Sequence, residues 1–468
     1  MALTVTNINT LTLLNILNRT ATSQSGTLTR LSTGQRINKG ADDPAGLLAL
    51  QSIQRELISV DAAIQNDQRS DAMLSVADSA LTQLNDLLGQ IQTLAAQSSN
   101  SAGLTASEIA SNQSQIDDAI ASIERIVRTT EFNGKKLLDG SLGINVTGAD
   151  ATYFENVRVY SRDPNADSNT IRVTVNSVAE RAKATNFATT SASEATTIEV
   201  KGRLGTQIIE IDKDENLSSI VAKINDVTAL TGVYASQAGG AASAAVDLYS
   251  SGYGSAEFVK VSVITGDTTN LKELNKVGVD ASVTVNGAAA SADGNEVLYS
   301  QNGLNLAFTI TEAFTAGTTE TFTVDSSGGA TFQLGTDAST RYTLGFDNLS
   351  PRRLGSKSVG GFLADLKGGG AAALANDPAT AAAIAAEAQK QVATLQGRIG
   401  SFQKYQVQTS LNAMTATKES LTTVKSLIGD VDYAAESSEL TRQNVLMQSA
   451  ISLLGVANQQ SAQILSLL

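Results

Sequence analysis

The segment "LSVADSALTQLNDLLGQIQTLAA", residues 74–96, decides how the chain is read. Leu74, Ala77, Leu81, Leu84, Leu88, Ile91 and Ala95 are spaced 3, 4, 3, 4, 3, 4. That repeat lays one apolar stripe along a helix that packs lengthwise on other helices. Upstream, Leu50, Ile53, Leu57, Val60 and Ile64 keep the rhythm, and Asp67 and Asp71 fall on the next positions, so an interruption of the seam is expected there. A single helix over 45–98 is about 80 Å long at 1.5 Å per residue and needs partners along its length. Its start is marked by Asp43 as cap and Pro44 as first residue. An earlier helix, with Leu14, Leu17, Ala21, Gln24, Leu28 and Leu31 at heptad spacing, has Arg30 in its last turn and stops at Gly34.

A further helix is expected over about 105–130. Thr105 and Glu108 form a capping box, and Ile109, Ile116, Ile120, Ile123 and Val127 mark its buried face. Asn133-Gly134 reads as a tight hairpin turn and Asp139-Gly140 as a second turn. Helical periodicity returns at Asp377-Pro378 with Val392, Leu395, Ile399 and Phe402, then Leu421, Val424, Ile428 and Val431. Beyond Tyr433, Leu440, Met447, Ile451 and Leu454 share one face.

Between the helical ends, 143–350 is rich in Thr, Val, Gly and Ser. Strands are expected at 169–175, 196–202, 206–212, 258–264, 281–287 and 319–324, with a short helix at 216–226. "GGAASAA" (239–245) and "GGAAAL" (369–374) read as flexible links. Helix, strand and helix in that order predict an α+β chain whose two ends come together around a mainly-β insertion.

Composition narrows the function. A net charge of −13 with no Lys/Arg cluster excludes nucleic acid as a partner. There is no Cys and no His, which removes disulfides, thiol nucleophiles, thiolate metal sites and every imidazole mechanism. Carboxylate, Lys, Tyr or Ser chemistry remains, but no motif points to it, so no catalytic, cofactor-binding or metal-ligating residue is expected. Aromatics are 4% and Trp is absent, which argues against a stacking platform or an aromatic-rich pocket. The first basic residue is Arg19, and Thr and Asn interrupt the apolar residues before it, so no cleavable secretory signal is expected.

Residues 1–18 and 443–468 carry no charge, in a chain with 79 charged residues. A membrane span is not the reading. Eleven of the last 26 residues are Gln, Asn or Ser, and no basic or aromatic belt flanks them. Burying those groups unpartnered costs roughly 5–20 kcal/mol even on a lenient scale. An apolar stripe beside a neutral polar face fits a helix that folds against copies of itself, where a stacked charge would meet its own image.

Several blocks now carry a resemblance. "LTRLSTGQRINKGADDPAGLLAL" (28–50), "LLGQIQTLAAQSSN" (87–100) and "TTEFNGKKLLDG" (129–140) resemble the N-terminal blocks of bacterial flagellins. "SLIGDVDYAAESSELTRQNVLMQSAISLLGVANQQSAQILSLL" (426–468) resembles their C-terminus, and "TDASTRYTLGFDNLSPRRLG" (336–355) is similar to the hairpin before it. "LSSIVAKINDVTALTGVYAS" (217–236) is similar to a module of flagellin variable regions and of the filament cap protein. The resemblance implies three regions. Residues 1–43 and 431–468 would form an inner, channel-lining coiled coil, 44–150 and 331–430 a helical bundle with a β-hairpin, and 151–330 a surface-exposed variable part. Leu11, Leu14, Leu17, Leu28, Leu31, Leu440, Met447, Ile451, Leu454 and Leu465 would serve polymerisation. Leu74, Leu81, Leu84, Leu88, Ile91, Ile120, Ile123, Leu395, Ile399 and Phe402 would form the bundle seam.

The implied function is structural: a homopolymer, the extracellular flagellar filament. It would be exported unfolded through the flagellar type III system, with an export chaperone, a cap protein and hook-junction proteins as partners. A hook–filament junction protein or a surface adhesin is the alternative, and the Ser/Thr-rich middle would accept O-linked glycans. In flagellins sensed by the animal innate receptor an Arg stands where this chain has Gln90 and a Glu where it has Gln115, while Leu94 matches, so weak sensing is expected. The zinc protease that some variable regions carry needs two histidines and is excluded here.

Overall fold

The computed structural model describes residues 8–99, 103–162, 169–186, 193–237, 246–268, 273–301 and 303–466. The chain divides into a terminal unit, residues 1–66 with 409–468, and a central unit, residues 67–408. Helices at both ends and antiparallel sheets between them make it an α+β protein. The "GGAASAA" link lies outside the described residues.

The terminal unit holds α1 (Ile8–Thr33), the first part of α2 (Pro44–Ser98), and most of a helix that ends at Gly429, followed by the C-terminal helix Tyr433–Ser466. α1 stops where expected. Gly34 turns left-handed at φ 72° and donates its N–H to Arg30 O at 2.9 Å. The chain then crosses its own far end. Arg36 N donates to Gly429 O at 2.7 Å and Val431 N to Gly34 O at 3.0 Å. The Arg36 guanidinium donates to Ile428 O from Nε (3.1 Å) and Nη2 (2.7 Å), placing a cation on a helix C-terminus. Asp42 accepts the N–H groups of Lys39 and Asn38, and these bonds hold its carboxyl below the usual range. Asp43 caps α2 by accepting Gly46 N at 2.9 Å, ahead of Pro44.

α2 is one helix from Pro44 to Ser98, as expected, and polar side chains interrupt its apolar seam at Asp67 and Asp71, the helical cluster beginning at Leu74. Asp67 and Ser70 are buried on the same stripe as Val60, Ala63, Leu74 and Ala77. Asp71 accepts Gln403 Nε2 at 2.8 Å. A heptad position tolerates a polar side chain when the facing helix offers it a hydrogen bond.

In the central unit, α2 packs with α3 (Ala106–Thr129) and the later helix Pro378–Phe402 around Leu81, Leu84, Leu88, Ile120, Ile123 and Leu395. Thr105 and Glu108 close their capping box. Asn133 and Gly134 are both left-handed, at φ 50° and 76°, in the hairpin joining Glu131–Phe132 to Lys135–Lys136. "GGAAAL" is not a link. Ala372, Ala373 and Leu374 are buried, and Leu374 N donates to Gln113 Oε1 at 2.8 Å. Its small apolar residues plug the end of the helical core instead of spacing it.

Two further apolar clusters lie in the β region. One sits between a five-stranded sheet centred on Asn169–Ser177 and a six-stranded sheet that runs through Glu296–Gln301, Leu304–Ile310, Phe154–Arg162 and Arg341–Leu344. The second fills a lobe made of a three-stranded sheet, a four-stranded sheet and the helices α4 (Leu217–Asp226) and α5 (Thr228–Thr231). The strands expected at 196–202, 206–212 and 258–264 and the helix at 216–226 fall in this lobe.

The lobe leaves and re-enters the chain at one place, where Glu180 and Val279 exchange N–H···O bonds of 2.8 and 3.0 Å. Replacing Arg181–Gly278 by Asn-Gly is therefore expected to leave the five- and six-stranded sheets folded. A cooperative thermal transition, with helical circular dichroism lowered only by the loss of α4 and α5, would agree. Loss of that transition would show that the lobe is part of the core.

Candidate functional site

The helix following Pro378–Phe402 (α6) is reached through a π-turn, Gln403–Val407, and runs as α7 (Gln408–Gly429). Ile399, Gln403, Val407 and Leu411 face inward in steps of four. Each such step overshoots an α-helical face by about 40°, and three overshoots amount to about one residue. The π-turn absorbs that residue. Asp61 then meets Lys418 at 2.8 Å, and Leu50 lies under Gly429.

α1 and α8 (Tyr433–Ser466) run antiparallel. Arg30 Nε meets Glu436 Oε1 at 2.9 Å, Gln443 Nε2 donates to Ser23 Oγ at 2.9 Å, and Gln24 Nε2 donates to Asn444 Oδ1 at 2.6 Å. The inward face of α1 is Leu13, Leu17, Thr20, Gln24, Thr27 and Leu31, spaced 4, 3, 4, 3, 4. On α8 it is Glu436, Leu440, Gln443, Met447, Ala450 and Leu454. Sequence reading followed the leucines and so took Leu14, Ala21 and Leu28 in place of Leu13, Thr20 and Thr27. The missed positions keep an equally regular heptad, and accepting Thr, Gln and Ala as seam residues would have found them.

Of the residues assigned to polymerisation, Leu17, Leu31, Leu440, Met447 and Leu454 are half-buried in this pairing. Leu11 (53% exposed), Leu14, Leu28 and Ile451 (55%) point away from it. Leu465 lies outside the residues whose side chains are described. Sequence reasoning expected the two chain ends to come together, and α1 is the helix on which α8 packs. Leu74, Leu81, Leu84, Leu88, Ile91, Ile120, Ile123, Leu395 and Ile399 are all buried together, and Phe402 packs at their edge 5.4 Å from Phe332. Gln90 and Gln115 are exposed, and Leu94 lies half-buried against the same core.

What sets the terminal unit apart is the balance of its apolar side chains. All three apolar clusters lie between Leu74 and Val407. Among the described residues, fourteen of twenty-four exposed large apolar side chains lie in the terminal unit, which holds 126 of the 468 residues. Ile16, Val445, Leu446, Leu453 and Val456 join the four above. Exposure on this scale marks an interaction surface. No helix among the described residues is long and apolar enough to cross a membrane. The electrostatics of the pair are confined to the end near Gly34: beyond Arg19 and Arg442 neither helix carries a charge. There the Glu439 carboxyl accepts two bonds from Arg442, which hold it below its usual range.

Residues 5–142 match the bacterial flagellin N-terminal helical region, and residues 382–468 match the bacterial flagellin C-terminal helical region. A flagellin of Salmonella typhimurium is 28% identical over 99% of this chain and 99% of its own length. A flagellin of Clostridium tyrobutyricum is 26% identical over 95% of this chain and 96% of its own. Among solved structures, the D2-D3 domains of the flagellar cap protein FliD from Escherichia coli cover 39% of the chain at 19% identity, with a TM-score of 0.28, too low to carry weight. With both terminal regions matched in order around a full-length likeness, the chain belongs to the bacterial flagellin family.

Proposed function

We propose that this subunit of the extracellular flagellar filament assembles by burying the outer faces of the α1–α8 pair against other copies. One observation carries the reading: among the described residues, the terminal unit holds fourteen of the twenty-four exposed large apolar side chains and none of the three apolar clusters. Each Leu or Ile removed from water contributes about 1.5–3 kcal/mol, so a few per subunit offset the entropy of docking. In this reading Leu11, Leu14, Leu28 and Ile451 contact neighbours, while Leu17, Leu31, Leu440, Met447 and Leu454 hold the two helices together. Residues 1–43 with 431–468 form the channel wall, 44–150 with 331–430 the surrounding bundle, and 151–330 the outward part. The fully buried seam of Leu74 through Ile399 makes the bundle a rigid carrier. The Gln, Asn and Ser residues of the last segment give the channel a wet, neutral surface across which unfolded subunits slide. Export through the flagellar type III apparatus, with a chaperone on the C-terminal helices and with cap and junction proteins receiving the chain, completes the proposal. Its role is structural and not enzymatic.

Deleting 443–468 is expected to abolish polymerisation in negative stain while the monomer keeps the thermal transition of its central unit. Ile451→Asp and Leu454→Asp are expected to act alike, since each sets an unpaired charge in a packed seam at a cost of about 3–5 kcal/mol. Long filaments from the truncated chain would remove the basis of the proposal.

The depressed carboxyls of Asp42 and Glu439 give a second expectation. Both have folded values below the ordinary 3.8 and 4.5, so what they contribute is intact above those values and is lost as the pH falls through and below them. Filaments are expected to dissociate on acidification into that range and to reform on return. In the Asp42→Asn variant the midpoint should move, and an unchanged midpoint would relieve Asp42 of the role.

With Gln90 and Gln115 in place of a cation and an acid, purified monomer is expected to stimulate the innate flagellin receptor weakly or not at all. A robust response would refute the assignment of that region.

A further inference from the structure

The chain has only nine Tyr and eleven Phe, yet the central unit gathers several of them in one place. A groove of about 920 Å³ opens between the six-stranded sheet and α6. Tyr160, Tyr342, Phe402 and Tyr405 line it. Tyr405 is 61% exposed and Tyr342 42%, with the Lys404 ammonium 5.2 Å from the Tyr405 ring centroid. Phe402 sits between Phe332 and Tyr342, with centroids 5.4 and 6.1 Å away, which fixes the aromatic floor. The low aromatic content had argued against such a surface. Composition counts rings, whereas the fold of Arg341–Leu344 against α6 brings them together.

The charge of the groove is opposite to that of the chain. Arg162, Arg341 and Arg398 line it, and among the described residues no lining residue is Asp or Glu, in a chain with 46 acidic and 33 basic residues. The Arg398 guanidinium stands 3.7 Å from the Tyr160 ring centroid, stacked and held in place. Asp347 acts on Arg398 electrostatically from outside the lining, and Arg162 is buried, so Arg341 is the exposed cation of the groove. Arg341 lies on the open side with no ion pair among the described residues. The remaining rim is rich in hydroxyls and amides: Ser161, Ser300, Asn305, Thr394, Ser401 and Gln406.

We infer that this groove binds an acidic oligosaccharide. Open aromatic faces take the C–H faces of pyranose rings, the hydroxyl and amide rim meets ring hydroxyls, and guanidinium forks take a uronate-type carboxylate bidentately. A volume of about 300–1,000 Å³ is usual for a small-molecule site. The observations favour a sugar over an acidic peptide. A peptide's apolar side chains need closed pockets, and this groove offers flat rings and hydroxyls instead. Every described lining residue lies in the central unit.

The test uses the full-length monomer, in which the lack of Trp leaves the emission to nine tyrosines, three of them in the groove, so that Tyr405→Ala identifies the groove's share of any change. A hyaluronan tetrasaccharide, neutral chitotetraose and a glutamate decapeptide are titrated, with calorimetry alongside. The expected result is saturable binding of the hyaluronan fragment alone. Arg341→Ala should weaken it about tenfold and Tyr405→Ala about three- to tenfold. Both residues are exposed, so neither change should alter folding, which circular dichroism checks. Arg128→Ala, an exposed cation on α3, should leave binding unchanged. Four results would each overturn the inference: equal binding of chitotetraose, binding of the decapeptide instead, equal weakening by Arg128→Ala, or no binding at millimolar sugar.

Discussion

Two helices packed on one another can bury only the stripe along which they touch. α1 and α8 are long and apolar on more than one side, and within the chain each has the other as its helical partner. Leu11, Leu14 and Leu28 on α1, and Val445, Ile451 and Val456 on α8, lie outside the shared stripe. The subunit thus leaves those faces unburied, and in the proposed assembly further copies cover them. The rest of the chain compensates. The central unit buries Leu74 through Ile399 completely and holds three apolar clusters of its own, so its stability does not wait on assembly.

That division asks something particular of the chain between Thr33 and Pro44. It must hold two distant stretches of sequence in register without an apolar core of its own. Backbone does this work. Gly34 to Val431 and Arg36 to Gly429 are main-chain bonds, and the Arg36 fork on Ile428 O adds a charge-assisted one. Gly34 is required here because the chain turns left-handed at φ 72° beside Tyr433, whose hydroxyl lies 3.1 Å from where a Cβ would sit. A short polar clasp of this kind sets the pairing of α1 with α8, and the Gln24–Asn444 and Gln443–Ser23 bonds extend that register along the seam.

Much of this was legible, for identifiable reasons. The 3,4 repeat of residues 74–95, the Thr105–Glu108 box and the Asn133-Gly134 turn depend on neighbours within a few residues, and each lies where the sequence put it. What was lost depends on distant partners. The strand Phe154–Arg162, "FENVRVYSR", hides its alternation because its charged residues lie over the α6 side, as Arg158 does beside the Arg398–Tyr160 stack. The α1 seam was displaced by one position because leucine outweighed Thr27, which is fully buried. "GGAAAL" looked like a link because glycine is local information and the core that receives Leu374 is not.

The charge-free ends follow from the same constraint that leaves their outer faces bare. In a homopolymer every surface residue is repeated, so a lone lysine on α8 faces copies of itself at a spacing no side-chain motion can escape. In water such repulsion is screened within about 8–10 Å, but an interface that excludes water removes the screening. A compensating carboxylate would have to be paired in every copy and would still bear its desolvation. Gln and Asn avoid both terms. They carry two donors and an acceptor, bond across the seam as Gln443 and Gln24 do, and leave the net charge at zero. The charged pairs that the terminal helices keep, Arg30–Glu436 and Arg442–Glu439, stand at the end nearest Gly34, where each cation has its own acid within the same chain. In the proposed assembly, neutrality of the two ends is therefore a property of the repeated interface, expressed in a single subunit before any interface exists.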